Sequence, residues 1–216
     1  MSKNSVNQSK KGFLTTPLWY EKSGVRYPRG TAVVKHVLHA PELEAWRLAV
    51  GFDASESIKN IASKRGTDLH ALFAKFAKKE QYRATDEQAK YLKYFHELLQ
   101  DFQVELHGSE KTLFSEEHTF GTTLDAIATV RSFSQRPLSL EYKTGKRFYP
   151  SHRYQAAVQR ELLLENGFDV VDGAVIALIN PKGYEVLYLD AEKCDMYFMR
   201  FLSFLEHFNE FVMKKK

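Results

Sequence analysis

The residues of this chain best suited to chemistry lie in Leu138-Ser-Leu-Glu-Tyr-Lys-Thr-Gly145. The alternation reads as a short strand closed by a Thr-Gly turn. Leu138, Leu140 and Tyr142 fall on one face, and Ser139, Glu141 and Lys143 on the other. Glu141 and Lys143 therefore point the same way, a carboxylate beside an ammonium at the strand's end. Upstream lies Asp125, in Gly121-Thr-Thr-Leu-Asp-Ala-Ile127. Two carboxylates suit a hard divalent cation, Mg²⁺ with Mn²⁺ as a substitute, because such ions take oxygen ligands in preference to sulfur. With a lysine alongside, the set matches the needs of phosphodiester hydrolysis. A water must become a better nucleophile, and the charge growing on the phosphoryl oxygens must be neutralised. The pattern alone does not separate this reading from a surface salt bridge between Glu141 and Lys143.

These groups need a scaffold. The 216 residues, 44% hydrophobic and 13% aromatic, fit one globular unit with a large core. Lys plus Arg exceed Asp plus Glu by 31 to 27, a surplus that permits a phosphate-rich partner without demanding one. The lone cysteine, Cys194, excludes an internal disulfide and a cysteine-ligated iron–sulfur cluster. No apolar run is long enough for a membrane span, and the polar Met1–Gly12 stretch matches neither a secretory signal nor a transit peptide. A cytoplasmic setting, in a bacterium or a phage-infected cell, is expected.

Residues 1–12 read as a disordered tail and 13–216 as one domain, with a mainly helical part at 13–108 and an αβ core at 109–216. Val25 to Val34 fits a short strand or only a loop. A helix is expected over Glu42–Val50, with Leu43 and Trp46 as core anchors. Asp53-Ala-Ser-Glu56 resembles a capping box opening a helix that Gly66 interrupts. Its apolar residues include Ile58, Ile61, Leu69, Leu72 and Phe73. Thr85-Asp-Glu-Gln88 resembles a second capping box. Thr112–Phe120, Thr122–Val130 and Leu138–Lys143 read as an antiparallel meander. A helix at Ser151–Glu165, strands at Val170–Ile179 and Tyr184–Leu189, and a helix capped by Asp190 follow. That last helix carries an aromatic stripe from Tyr197 to Phe211, read as core. The order predicts an α+β fold.

Four further matches accompany the strand. Phe120-Gly-Thr-Thr-Leu-Asp-Ala-Ile127 holds Gly-x-x-x-Asp, and Glu117 precedes its glycine by four residues. Arg65-Gly-Thr-Asp-Leu-His70 holds a helical Gly-x-x-x-His. Tyr154-Gln-Ala-Ala-Val-Gln159 stands where a helical Gln-x-x-x-Tyr would. With Glu141-Tyr-Lys-Thr-Gly145, this ordered set resembles the PD-(D/E)XK nuclease superfamily in its RecB-like branch. It is most similar to the mitochondrial genome maintenance exonucleases and their phage relatives, over roughly residues 28–216. Glu141 replaces the aspartate of the mitochondrial members, and Gln159 replaces the family's tyrosine.

The resemblance implies a restriction-endonuclease-like core, a central mixed sheet flanked by helices, with a helical N-terminal part. It also implies metal-dependent exonucleolytic cleavage of DNA, single-stranded and with free ends, in replication, repair or recombination. Asp125 and Glu141 would hold Mg²⁺ together with the backbone carbonyl of Tyr142. His70 would bind the metal or its water, and Lys143 would orient the attacking water. Glu117, Arg153, Tyr154, Gln155 and Lys146 are candidates for supporting or DNA-contacting roles. Phe13, Trp19 and Tyr20 are candidates for stacking on bases. A replication or recombination protein is a possible further partner, and no membrane is expected. Alternatives are a phage recombination exonuclease on duplex ends, a structure-specific endonuclease, or a catalytically silent DNA-binding protein.

Overall fold

The structure is a computed structural model that describes residues 17–38, 40–168 and 172–213. The expected tail, Phe13 and the start of the strand expected from Val170 lie outside those residues.

The stretch Val25 to Val34 divides into two elements. Strand β2 (Val25–Pro28) pairs with β1 (Trp19–Lys22) in a hairpin turning at Ser23-Gly24, and helix α1 (Gly30–Val37) buries Val33 and Val34. Helix α2 (Pro41–Val50) forms as expected, with Pro41 at its first turn. Its anchors do not: α2 buries no residue, Leu43 is exposed and Trp46 only half-buried. The helix leans on α3 (Phe52–Ala77), through an Arg47–Glu56 pair at 2.9 Å and the Arg47 guanidinium 5.1 Å from the Phe52 ring. Leu48 (87% exposed) and Ile61 (67%) stay in solvent, and so does Ile58.

Helix α3 corrects two expectations. Asp53 is not a cap. Gly51 holds the N-cap position without a side-chain bond, and Ser55 Oγ donates to the Phe52 carbonyl at 2.7 Å. Nor does Gly66 break the helix. Its cost of about 1 kcal/mol against alanine is small beside burial of Leu69, Leu72 and Phe73 in the next two turns. Helix α4 (Asp86–Asp101) opens on the expected capping box. The Gln88 N–H donates to Thr85 Oγ1 at 3.3 Å, and the Thr85 N–H to Gln88 Oε1 at 2.9 Å.

The five-stranded sheet runs in chain order: β3 (Val104–Ser115), β4 (Phe120–Val130), β5 (Pro137–Lys143), β6 (Gly173–Asn180) and β7 (Gly183–Asp190). The first three strands form the expected antiparallel meander. β3 starts and ends earlier than expected, because Glu116–Thr119 forms the hairpin turn, with the His118 N–H donating to Ser115 Oγ at 2.9 Å. β5 and β6 are parallel, which requires a crossover, and α5 (Pro150–Glu165) supplies it. β6 and β7 form an antiparallel hairpin. The fold is α+β with a mixed sheet between helices, compatible with a restriction-endonuclease-like core.

Successive side chains of β5 point to opposite layers. Tyr142 packs against Phe73 of α3 and Phe95 of α4, while Glu141 meets α5. On the polar face of β5, Ser139 and Glu141 are therefore buried as deeply as the apolar residues opposite, and Lys143 at the strand's end is half-buried. α6 (Ala191–Phe208) packs on α5 and α1, capped by Asp190, which accepts from the Lys193 N–H at 2.9 Å. Phe201, Leu205 and Phe208 are buried. Phe211 leaves the stripe for solvent, since the helix widens into a π-helical turn, Asn209–Met213, that shifts its phase. Among the described residues, no helix is long and apolar enough to cross a membrane.

Gly173, at the start of β6, tests the closeness of β6 and β7. A Cβ there would lie 2.2 Å from the Leu189 carbonyl oxygen and 3.0 Å from the Tyr188 ring. Gly173→Ala is expected to destabilise the protein by about 3 kcal/mol, the upper range for overpacking, measured by urea unfolding. A change within about 0.5 kcal/mol, ordinary for a surface substitution, would show that the two strands approach less closely.

Candidate functional site

The ladder between β4 and β5 ends at Ala126↔Leu140, although both strands continue. The next facing residues are Asp125 and Glu141. β5 stays paired with β6 through Lys143, so the opening lies on the β4 side. The Tyr142 N–H, left without a strand partner there, donates to Asp125 Oδ2 at 2.8 Å. That bond fixes the Asp125 carboxylate at the mouth of the notch and satisfies a donor that would be costly to leave unmade.

Two helices close on this notch. α3 brings His70, whose Nδ1 lies 3.1 Å from Asp125 Oδ1 and whose ring stands edge-on to Tyr142 at 6.2 Å. Gly66, one turn earlier on α3, faces Thr144 just beyond β5, where a Cβ would lie 3.4 Å from Thr144 Oγ1. α5 brings Gln155 and Gln159, one turn apart on one face. Lys143 Nζ donates to Gln155 Oε1 at 2.8 Å and to Glu141 Oε1, and Gln159 Nε2 donates to Glu141 Oε2. The ion pair between Glu141 and Lys143 is thus formed, with Glu141 buried and Lys143 half-buried rather than both on the surface. Gly121 lies further along β4, away from the notch. A side chain there would meet Phe114 at 2.9 Å and Tyr20 at 3.0 Å, so glycine lets the β1–β2 hairpin lie against the sheet.

Burial alone would raise the Asp125 carboxyl, but His70, Lys143 and the Tyr142 N–H outweigh it and hold its pKa below the usual range. Glu141 goes the other way. Burial and the neighbouring Asp125 charge raise it, against Lys143 and Gln159. Two carboxylates with oppositely moved pKa values in one notch are a common feature of functional sites. For His70, burial lowers the pKa, yet the charge and hydrogen bond of Asp125, helped by Glu141, leave it raised. Burial, Lys143 and Arg153 drive His152 down to about 3. Lys35 of α1 is lowered by burial and by Lys143 and Lys59, so positive charge gathers on this side of the molecule.

Glu110 of β3 was not among the residues singled out from sequence. It faces Asp125 across the β3–β4 hairpin, at a point where the ladder skips both residues. Its φ of +53° is left-handed, a conformation that costs a non-glycine residue about 1–2 kcal/mol. Ligand atoms of His70, Glu110 and Asp125 all lie within 4.8 Å of one another. The hairpin register is the signal that locates it: with Ser115 opposite Phe120, counting back places Glu110 opposite Asp125. Gln159 was noted only as a departure from a motif, and here it holds Glu141.

Other expected residues stand apart. Glu117 lies exposed in the hairpin turn, 3.8 Å from His118. At about 3.3 Å per residue, the run from Phe120 to Asp125 separates that turn from the site by roughly 17 Å. Tyr154 packs its ring against Tyr197 and Phe204, each at 5.0 Å. At 3.6 residues per turn, Arg153 sits roughly 200° around α5 from Gln155. Helical phase turns both away. Lys146 is exposed in the turn after β5, where Arg147 pairs with Glu42 of α2. Trp19 and Tyr20 are stacked on arginines, Arg26 at 4.8 Å and Arg29 at 4.1 Å, and the Tyr20 hydroxyl bonds Thr123 at 2.9 Å.

The donors suit a hard cation: carboxylate oxygens and imidazole, with no sulfur nearby. Cys194 is buried elsewhere, its thiol pushed up to about 12 by burial. The His70–Asp125 pair also dictates a pH dependence. His70, with its raised pKa, contributes stability fully below its unfolded value of about 6.5 and loses it as pH climbs through the folded value. Asp125, with its lowered pKa, contributes above about pH 4 and loses it as pH falls through the folded value. Glu141 adds a decline of its own as pH rises, because its folded pKa is raised. In chelator, the melting temperature is expected to fall between pH 6 and 9, and to fall less in His70→Asn. Equal slopes in the two proteins would remove His70 from the coupling.

No protein-family model matches the chain, and no curated protein matches it. Among solved structures it is similar to one titled "Crystal structure of SSO0001", at 13% identity and a TM-score of 0.43, over 87% of this chain and 78% of that one.

Proposed function

We propose that this chain is a divalent-metal-dependent deoxyribonuclease of the PD-(D/E)XK type, an exonuclease on single-stranded DNA with free ends. The observation that carries the reading is the convergence of Asp125, Glu141, Lys143 and His70, from two strands and a helix, on one notch in the sheet. The residues that would hold Mg²⁺, or Mn²⁺ in its place, are Asp125 and Glu141 with the Tyr142 backbone carbonyl and His70. Bound there, it would supply the positive charge that makes a water a better nucleophile at neutral pH.

The protein's own groups do the rest. The Tyr142 N–H and His70 hold the Asp125 carboxylate in place. Gln159 keeps Glu141 oriented, and Gln155 keeps the Lys143 ammonium at the end of β5. Lys143 then lies beside the phosphate, where charge grows as the water oxygen bonds to phosphorus and the bond to the leaving sugar oxygen breaks. The attacking water gives up a proton to solvent, and the leaving oxygen takes one. Lys35 and Lys59 favour the approach of a polyanionic strand.

The direct test uses end-labelled single-stranded, duplex and circular DNA with Mg²⁺, Mn²⁺ or chelator. Metal-dependent loss of linear single strands, with circles spared, is expected. Degradation of duplex ends instead would support the recombination-exonuclease alternative, and cutting of circles the endonuclease. No cleavage with any divalent ion, together with metal-independent DNA binding, would sink the enzyme reading in favour of a silent DNA-binding protein.

A further inference from the structure

We infer that the cleft where α3 gives way to α4 is a second contact site for the substrate strand, and that Lys75, Lys78, Lys79 and Arg83 hold its backbone phosphates there. The proposed reading of the substrate as single-stranded DNA underlies this assignment, which gives the nucleotides beyond the notch a place on the protein.

Helix α3 passes the notch at Gly66 and His70 and runs on to Ala77. At its end lies a cleft of about 510 Å³ lined by Lys75, Glu80, Gln81, Tyr82 and Arg83. Residues 75–83 set four cations against one carboxylate, Glu80. All four cations are exposed, and among the described residues none of their side chains has a hydrogen bond or an ion pair. Such a set suits a ligand that brings its own negative charge.

Lys79 occupies a position that glycine fills best. The Glu80 N–H donates to the Lys75 carbonyl at 2.9 Å and the Lys79 N–H to the Phe76 carbonyl at 3.0 Å, with Lys79 left-handed at φ +58°. That helix ending favours glycine at the left-handed residue. Lysine there trades backbone ease for a charge beside the cleft. Lys75 and Lys78 suit the negative end of α3 in any case, but Lys79 in its strained place and Arg83 past the helix are not explained that way.

The cleft adjoins the notch. Burial and Asp125 raise the Glu110 carboxyl while His70 and Lys78 oppose them, so Lys78 stands on the β3 side of the opening. At 1.5 Å per residue, Lys78 lies about 12 Å beyond His70 along α3, and Lys59 about 16 Å before it. Cations therefore flank the notch in both directions, the arrangement of a groove that tracks a single strand's backbone. An acidic peptide would fit the cleft but gives no reason for its alignment with the notch.

The experiment measures binding of dye-labelled single-stranded DNA to the full-length chain in chelator, by fluorescence anisotropy over a range of salt. Lys79→Gly is expected to lower the slope of log affinity against log salt by about 0.7, the value of one phosphate contact with a single strand. Lys75→Gln combined with Arg83→Gln is expected to lower it by about 1.4. Arg200→Gln, exposed on α6, should leave it unchanged. Glycine relieves the backbone at position 79, so folding is retained, and matched melting curves verify it. Unchanged slopes in the cleft variants, or an equal drop in Arg200→Gln, overturn the inference. Displacement of the DNA by polyglutamate as readily as by unlabelled DNA also overturns it, and assigns the cleft to an acidic protein. Unchanged slopes with wild-type cleavage leave the nuclease reading intact. Lowered slopes with no cleavage under any divalent ion remove the nuclease reading and leave the cleft as a DNA-binding site.

Discussion

Lys143→Ala is expected to abolish DNA cleavage and to destabilise the fold at the same time. On the proposed nuclease reading, the activity loss follows from removing the ammonium that would lie beside the phosphate, an effect of at least about 100-fold when a group that stabilises transition-state charge is deleted. The stability loss has a separate origin. Glu141 is buried, and Lys143 is its cationic partner. Removing one member of a buried pair leaves the other charge uncompensated, at a cost of about 3 kcal/mol or more. Burial and Asp125 already raise the Glu141 pKa, so the variant is expected to take up a proton there and become more stable as the pH is lowered. Adding Glu141→Gln removes the stranded charge and is expected to restore much of the stability without restoring cleavage. Cleavage at the wild-type rate by Lys143→Ala would remove the lysine from the reaction.

Asp125→Asn is expected to lower cleavage by about 1,000-fold, the upper range for removing one preorganised electrostatic group, while keeping the fold. Asparagine preserves the volume, and its amide oxygen can still accept from the Tyr142 N–H. What it loses is the negative charge on which His70 and any bound cation depend. Calorimetric titration with Mn²⁺ should then show weakened binding alongside the slow cleavage. Tight metal binding by Asp125→Asn, or undiminished cleavage, would move the reaction centre away from Asp125. Asp125→Ala is the less informative variant, since it also strands a backbone donor and a half-buried histidine.

The parts of the fold that were legible in the sequence are those decided by neighbours along the chain. The capping box at Thr85, the Asp190 cap, the meander β3–β4–β5 and the hairpin β6–β7 all follow from local hydrogen bonding and alternation. Where two local signals competed, the larger energy won. An interior glycine at Gly66 was outweighed by the buried side chains that follow it. Leu43 shows the opposite failure. Apolar character predicts burial only when another surface arrives to cover it, and α2, which packs on α3, buries none of its residues.

The candidate site divides in the same way. Asp125, Glu141, Lys143 and His70 were found from residue type and order, and the folded chain does bring their side chains together. The supporting residues were not separable in advance. Gln155 and Gln159 face the notch while Arg153 and Tyr154, on the same helix, do not, because helical phase and the docking angle of α5 choose among them. Glu117 was favoured by its spacing from Gly121, yet strand length carries it away from Asp125.

By itself, then, the sequence determined the α+β order of elements, the strand that carries Glu141 and Lys143, and the residue types fit to hold a hard cation. The tertiary structure alone decided that a buried Glu141 pairs with a half-buried Lys143 and that Glu110 joins His70 beside Asp125. The physical reason is that spacing along a strand orders only that strand. Which side chains meet across the sheet depends on hairpin register, on where β4 and β5 part, and on how closely α3 and α5 settle against the opening.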